Sequence, residues 1–469
     1  MAAPLPMFFV CSYDIHRPGE SGGESGQWLA QGGADMREAS RNPLENQSPV
    51  ARDDADTRPA MAHGGGEPWG ARQLIAPERR RGRGVLINPA GRFEKHARED
   101  IDDGWNSLDD LPPFRTEVTV EKPKTIITRN ASPDISFDRS INPYRGCEHG
   151  CVYCFARPSH AYMGLSPGLD FETKLFAKPD AARLLEKELS ARGYEPRVIA
   201  MGTNTDPYQP IEQRYRITRE ILEVLERFNH PVGIVTKSAL ITRDIDILSR
   251  MAAKNLAKVA LSITTLDPKL ARSMEPRAAT PSRRLDAIRR LADAGVPASV
   301  MVAPVIPAVN DDEIERILEA AHAHGAREAG YVMLRLPHEV RDAMWTWLEN
   351  EWPDKARRAR ALMRQSRGGK DYDATWGDRM VGSGPYAWMT GRRFQLACAR
   401  IGFNKERRRL DVSQFRAPNS AVAAGQLSLF GLDDAPAARP ARRPIDPVRH
   451  IRSRADANGL AFLDNAAHA

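Results

Sequence analysis

Between residues 197 and 334 the chain alternates between short, unbroken apolar runs and longer amphipathic stretches, and that rhythm leaves few folds open. The apolar runs cover 197–202, 232–236, 258–264, 298–303 and 330–334. Each has the length of a strand and no polar alternation, the pattern of strands covered on both faces. Residues 181–191, 218–228, 243–254, 282–294 and 311–324 read as helices. The last is punctuated at both ends: Asn310 stands at the N-cap position with Glu313 three residues on, and Gly325 follows the final turn. Gly295 ends the helix before it in the same way. Repeated βα units imply a parallel sheet with right-handed crossovers. A short strand leading into residue 147 brings the count to about six units. A complete (β/α)8 barrel needs about 250 residues, more than this segment offers. The expectation is an α/β fold built on a partial (β/α)6 TIM-type barrel.

Chemistry in parallel α/β sheets gathers at the carboxyl ends of the strands. The loop after the first strand reads Cys147-Glu148-His149-Gly150-Cys151-Val152-Tyr153-Cys154. Three thiols this close in sequence can wrap one soft metal centre. Thiolates select iron–sulfur clusters, zinc or copper(I). A structural zinc site usually draws on two separated ligand pairs; His149 offers a fourth ligand, but the chain has no second pair. A cubane [4Fe–4S] cluster ordinarily takes four thiolates. Three local cysteines leave one iron open to bind and activate a small molecule.

The Cys-x3-Cys-x2-Cys spacing, with Tyr153 just before the last cysteine, resembles the radical S-adenosylmethionine (SAM) superfamily. The flanks narrow the match. Ser140-Ile141-Asn142-Pro143-Tyr144-Arg145-Gly146 before the triad, and Gly202-Thr203-Asn204-Thr205-Asp206-Pro207-Tyr208-Gln209-Pro210 after it, are similar to the DNA repair photolyase-like branch related to spore photoproduct lyase. The resemblance spans roughly residues 115–400. It implies the same partial barrel, a [4Fe–4S] cluster on Cys147, Cys151 and Cys154, and SAM chelated at the open iron. One electron then cleaves SAM to methionine and a 5′-deoxyadenosyl radical, which takes hydrogen from substrate.

The resemblance also directs attention to the rim. After the second strand, Gly202 lets the backbone approach closely, while Thr203, Asn204 and Asp206 offer acceptors for the SAM amine in place of the family's usual Gly-Gly-Glu. Lys237, after the third strand, offers a charge for the SAM carboxylate or a substrate phosphate. Ser262, Thr264 and Thr265 follow the fourth strand, with hydroxyls suited to ribose or carboxylate. In the next loop Arg277 is the expected SAM contact, and Glu275 could simply be its salt-bridge partner. Pro304, in the Ala303–Pro307 turn, stands where the family packs backbone against adenine. Arg335 and His338 face the expected substrate opening. Tyr153 is also expected among the cofactor contacts. Spore photoproduct lyase uses a barrel cysteine as hydrogen donor, yet no cysteine lies between Cys154 and Cys398. Tyr153 and Tyr208 are the alternative donors, or the reaction differs.

Length and composition bound the rest. The 469 residues carry a formal net charge of +7, with a pI near 9.2. That permits phosphate contact without demanding it. Residues 1–110 read as a disordered basic and Gly-rich tail that includes Arg79-Arg80-Arg81-Gly82-Arg83. Residues 111–340 form the barrel, 341–410 a helical extension closing it, and 411–469 a second disordered tail. The extension carries Trp345, Trp347, Trp352, Trp376 and Trp388 beside a basic helix at 355–367. Aromatics beside arginines stack bases and hold phosphates; the alternative is a purely structural closure. Gln426-Leu427-Ser428-Leu429-Phe430 looks like the pentapeptide that docks bacterial repair proteins on the sliding clamp. No run of about 18 apolar residues exists, so no membrane partner is expected. Five cysteines, three in one loop, do not make a disulfide framework, and an oxygen-sensitive cluster fits a reducing cytoplasm. The expectation is a monomeric, cytoplasmic radical SAM enzyme and lyase-like DNA repair protein, served by a flavodoxin- or ferredoxin-type reductant. The alternatives are a radical SAM enzyme acting on RNA, protein or a small molecule, or a non-catalytic iron–sulfur DNA-binding sensor.

Overall fold

The structure is a computed structural model and describes residues 74–94 and 112–418. Its strands in chain order are β1 (Glu117–Val120), β2 (Ile127–Arg129), β3 (Arg139–Ile141), β4 (Tyr144–Arg145), β5 (Lys174–Ala177), β6 (Ile199–Met201), β7 (Val232–Thr236), β8 (Ala257–Ser262), β9 (Ala298–Val305) and β10 (Glu328–Met333). Seven of them form one sheet in the order β10-β9-β8-β7-β6-β3-β2. From β3 to β10 every neighbouring pair is parallel, and β2 adds an antiparallel edge. The order never reverses, so right-handed crossovers put every connecting helix on one face. The other face is left for the site. β3 and β10 are not paired, so the six-stranded parallel array is an open, partial barrel. A small sheet, β1-β5-β4, stands beside it and carries the approach to Cys147.

The crossover helices Ala181–Leu189, Ile217–Arg227, Ile245–Ala253, Pro281–Asp293 and Ile314–Ala323 follow the expected segments to within three residues at either end. Each turns a helical-period apolar stripe to the sheet; Ile217, Ile221, Leu222 and Leu225 do so on the second. Gly295 and Gly325 follow their helices with φ of 75° and 100°, the left-handed turn that only glycine adopts without strain. Asn310 does not cap as expected. Its side chain accepts from Ile306 N at 2.6 Å and donates to the carbonyls of Thr264 and Pro304, pinning the loop after β9. Glu313 likewise turns away, to Thr265 Oγ1 and Leu266 N.

Two expected tails are partly built into the body. Residues 74–94 pack against the cysteine loop, with Val85, Leu86 and Ile87 buried. Within the basic run, Arg83 donates to Glu172 O, Phe114 O and Thr116 Oγ1, and Arg79 lies over the Phe114 ring. The clustered charge suggested a solvated tail, but the apolar triplet that follows anchors it. At the other end, residues 405–418 strap the amino-terminal side of the sheet: Asn255 holds Arg409 O and Asp411 N, and Arg416 N donates to Phe228 O. The Gln426–Phe430 pentapeptide and Cys11 lie outside the described residues. Among the described residues no helix is long and apolar enough to cross a membrane.

The extension comprises helices Val340–Glu351, Pro353–Gln365, Asp378–Val381 and Gly384–Ile401. Trp345 and Trp347 are buried in a second core with Cys151, Val152, Tyr153, Met274 and Leu334. These two tryptophans therefore wall in the cysteine loop. Trp388 and Trp376 are 73% and 52% exposed. Cys398 is buried, as its apolar surroundings suggested.

Strand β6 abuts His230, which sits beside Tyr194 and Phe415. Burial pushes its pKa down to about 4. A depressed histidine pKa favours the neutral form in the folded state, so its contribution is complete above about pH 6.5 and is lost as pH falls through 4. Between pH 7 and pH 5 the loss is about 2 kcal/mol. Urea unfolding at the two pH values checks this. His230→Phe should remove that share of the slope, and an unchanged slope would refute it.

Candidate functional site

Cys147, Cys151 and Cys154 are free thiols in one loop, the first two buried and the third half-buried. The loop is tied down along its length. Cys147 N donates to Phe171 O, Val152 N to Met274 O, and Arg277 N to His149 O. Gln209 clamps it from below, accepting from Glu148 N at 2.9 Å and donating to Gly146 O at 3.1 Å. Arg157 holds the Cys151 carbonyl with two nitrogens, at 2.8 and 3.1 Å, and is fully buried against Glu172 at 2.5 Å. Glu172 also accepts from Gly84 N and Val85 N. A Cβ on Gly84 would fall on the Gly150 carbonyl oxygen, so this segment approaches the loop too closely for any side chain.

Three free thiols in one short loop suit an iron–sulfur cluster. Among the described residues no three His, Cys, Asp or Glu side chains converge on one metal position. A cubane asks each thiolate to bind a different iron, hence for sulfurs set further apart. Burial pushes all three thiols up, Cys151 to about 12 and Cys147 well above its ordinary value. Cationic metal offsets that penalty, because a coordinating thiol is deprotonated by the ion it binds.

Around the loop the structure redistributes several expected roles. Asp206 is a brace and is not open to an ammonium. It accepts from Thr236 Oγ1 at 2.6 Å, Lys237 N at 2.7 Å and Tyr208 N at 2.9 Å, and lies 3.4 Å from His149 Nδ1. Burial alone would raise its pKa, but His149 and these donors hold it at about 2. The β6 loop, the β7 end and the cysteine loop are thereby joined through one carboxylate. Thr203 Oγ1 and Asn204 N both lean on Asn142 Oδ1, and the Asn204 side chain is exposed. Gly202 has φ of 86°, and a Cβ there would strike the Val235 carbonyl; the close approach is to β7.

Glu275 does not pair with Arg277. Arg277 reaches Glu148 at 3.1 Å, whereas Glu275 pairs with Arg284, and both are buried. Glu275 also accepts from Tyr153 OH and, at 2.6 Å, from Thr264 Oγ1. Burial raises its pKa, yet Arg284, with further help from Lys237 and Thr264, holds it at about 2. Arg284 donates on to the Ser262 and Ala279 carbonyls. Nothing in the sequence spacing singled out Arg284; its role depends on the helix Pro281–Asp293 swinging back over the end of β8.

The tyrosines expected as hydrogen donors are engaged or sealed. The Tyr153 hydroxyl is spent on Glu275 and Thr264. Tyr208 is 0% exposed in the main core near Arg243, out of any substrate's reach. Pro304 lies within β9 after a cis peptide bond, and its carbonyl accepts from Asn310. Proline has no N–H for the ladder, and the pairing with β10 shifts register there, between Tyr331 and Met333.

One expected residue stands free. The Lys237 ammonium lies over the Tyr153 ring, 5.6 Å from its centroid, and is near enough to Cys151 and Cys154 to affect their ionisation. Among the described residues it has no hydrogen-bond or ion-pair partner. A half-buried cation beside the cluster loop suits a ligand carboxylate or phosphate.

The chain is similar to several known proteins. The Radical SAM superfamily profile matches residues 141–321. An uncharacterised protein of Mycobacterium tuberculosis is 36% identical over 233 residues, 49% of this chain and 68% of the relative. A protein of a Pseudomonas phage, named radical SAM Nα-GlyT isomerase, is 27% identical over 43% of this chain and 42% of its own. A solved spore photoproduct lyase, complexed with dinucleoside spore photoproduct, aligns with a TM-score of 0.42 at 17% identity over 61% of this chain and 80% of that one. With the cysteine loop, the open parallel sheet and the relative matched over two thirds of its length, the chain belongs to the radical SAM superfamily, whose members work with a [4Fe–4S] cluster and S-adenosylmethionine.

Proposed function

We propose that this radical SAM enzyme acts on nucleic acid, with a DNA lesion of the photoproduct-lyase kind as its substrate. The observation that carries the reading is the outer face of the helical extension. Trp388 and Trp376 are exposed. Arg357, Arg358 and Arg392 are exposed too, and among the described residues none of them is in a hydrogen bond or ion pair. Unpaired guanidinium groups on the same extension as solvent-facing indoles make a surface for phosphates and bases. The net charge of +7 acts in the same direction.

When bound, the cluster supplies the electron that cleaves SAM and so begins hydrogen abstraction from substrate. The chain's own residues hold and shield that site. Cys147, Cys151 and Cys154 would hold the cluster, with SAM as its further ligand. Lys237 holds the SAM carboxylate. Tyr153, fixed by Glu275 and Thr264, presents its ring to that ammonium, and Ser262 and Pro304 shape the adjoining wall. Trp345 and Trp347 exclude water behind the loop. Lys237→Ala should therefore weaken SAM binding about 10- to 100-fold, the worth of a charged hydrogen bond, with iron content unchanged. Equilibrium dialysis of SAM against the reconstituted protein measures it, and an unaltered affinity removes Lys237 from the site.

The reading as a whole is tested anaerobically. Reduced protein is incubated with substrate-deuterated irradiated DNA, RNA or cell extract, and deuterium is followed into 5′-deoxyadenosine. Transfer from irradiated DNA is the expected result. Transfer only from RNA or from extract components would overturn the DNA assignment, and absence of SAM cleavage would favour an iron–sulfur sensor. The proposed partners are DNA, a flavodoxin- or ferredoxin-type reductant and the sliding clamp, the last through Gln426–Phe430. Clamp retention by a Phe430→Ala variant equal to that of the intact protein would dismiss the tether.

A further inference from the structure

We infer that Arg335, backed by Arg367, is the site that receives a phosphate of the substrate at the mouth of the barrel. The inference deepens the nucleic-acid reading and rests on it for the choice of phosphate. Arg335 lies two residues beyond the end of β10 and is only 8% exposed. Its guanidinium lies over the ring of Phe155, 4.7 Å from the centroid. Phe155 follows Cys154 directly, and at 36% exposed it is open to the mouth. The cation therefore stands beside the cluster loop, on the side of the sheet where strand ends gather.

What makes this a site is the missing counter-charge. Among the described residues the one hydrogen bond of the Arg335 guanidinium is a long contact from Nη1 to Met380 Sδ at 3.6 Å, and Nε has no partner. Among the described residues no carboxylate pairs with it. Arg367 adds to the imbalance. It is 1% exposed, donates to the carbonyls of Asp378 and Leu334, and its Nε is also without a partner. It lies close enough to Arg335 for the two charges to repel, while Asp373 and Asp378 offset part of the charge on Arg367 but form no ion pair with Arg335. Among the described residues the buried Arg139, Arg157 and Arg284 are each paired with an acid, Asp138, Glu172 and Glu275, and the buried Arg83 spends donors on two carbonyls and the Thr116 hydroxyl. A buried, unpaired charge costs several kcal/mol, and two adjacent cations of like sign make it worse. Such an arrangement persists where a ligand brings the opposite charge. Arginine's planar fork matches a phosphate edge, and the neighbouring Phe155 offers an aromatic surface beside it.

Two measurements decide it. The first is thermal unfolding of Arg335→Met without ligand. If Arg335 were a structural residue, the variant would melt lower. If it awaits an anion, removing an uncompensated buried charge leaves the variant as stable as the intact protein or more so, by a few degrees. The second is the melting shift on adding inorganic phosphate or a thymidine dinucleotide at constant ionic strength, compared with succinate. Phosphate and the dinucleotide should raise the melting temperature of the intact protein and not that of Arg335→Met. Iron content and SAM binding of the variant should be unaltered, while its KM for oligonucleotide rises about tenfold or more. A lower-melting variant, or equal phosphate shifts in both proteins, would overturn the site. A shift with succinate but not with phosphate would overturn the phosphate assignment. If phosphate shifts only the intact protein yet no DNA is turned over, the site stands and the DNA substrate fails.

Discussion

Cys151→Ala, purified and reconstituted anaerobically, is expected to hold no [4Fe–4S] cluster and to form no 5′-deoxyadenosine above background. The effect is all-or-none because the loop has no spare ligand. Among the described residues the only other cysteine, Cys398, lies on the helix Gly384–Ile401 and is buried in the main core. His149, the one ligand-capable side chain inside the loop besides Glu148, turns to Asp206 and cannot take the place of a thiolate without breaking that brace. Losing one of three thiolates should therefore lower iron from about four per chain to near zero, with loss of the brown absorbance. A Cys151→Ala protein that keeps four irons and its colour would end the cluster assignment. Cys147→Ala and Cys154→Ala should behave alike.

The second large effect belongs to Arg284→Met. Arg284 is the counter-charge for Glu275, and both are sealed from solvent at the end of β8. Removing the cation leaves a buried carboxylate that still accepts from Tyr153 and Thr264 but has lost its charge partner. Breaking a buried pair on one side costs about 3–5 kcal/mol, or roughly 4–7 °C in melting temperature for a body of this size. The loss should extend to function, because Tyr153 is positioned through Glu275 and SAM affinity should fall with it. The double variant Arg284→Met with Glu275→Gln should recover much of the stability, since neither charge is then buried alone. A single variant that melts within two degrees of the intact protein would show the pair to be dispensable. Equal losses in the single and double variants would show that packing, not charge, is what Arg284 contributes.

Much of this was legible along the chain, and what was not follows one pattern. Strand runs and helix stops appear in sequence because they are local: an apolar run of five or six residues, or a glycine after the last turn, has one economical conformation. The segments at 197–202, 232–236 and 298–303 were recognisable for that reason, and β9 ran past its expected end only where Pro304 sits in a register shift. The basic run before Val85 misled because charge density speaks for solvation, while the burial of Val85, Leu86 and Ile87 depends on a surface supplied by Glu172 and Gly150, far along the chain. The partner of Glu275 is likewise set across the fold, not by nearness in sequence. Arg277 is nearer in sequence, but a helix brings Arg284 to the carboxylate and directs Arg277 to Glu148.

The sequence by itself carried three thiols within eight residues, a candidate ligand set, and the resemblance of that triad and its flanks pointed to the radical SAM superfamily, to which the chain belongs. It also determined a parallel, singly wound sheet, through the period of its apolar runs. Only the tertiary structure decided which polar groups at the rim are free and which are spent. Asp206 and Arg277 are consumed in holding the loop, whereas Lys237 and Arg335 keep unpaired charge beside it. Pairing is a matter of distances across the fold, and those distances are set by how five helices and a partial barrel pack together, which no local spacing encodes.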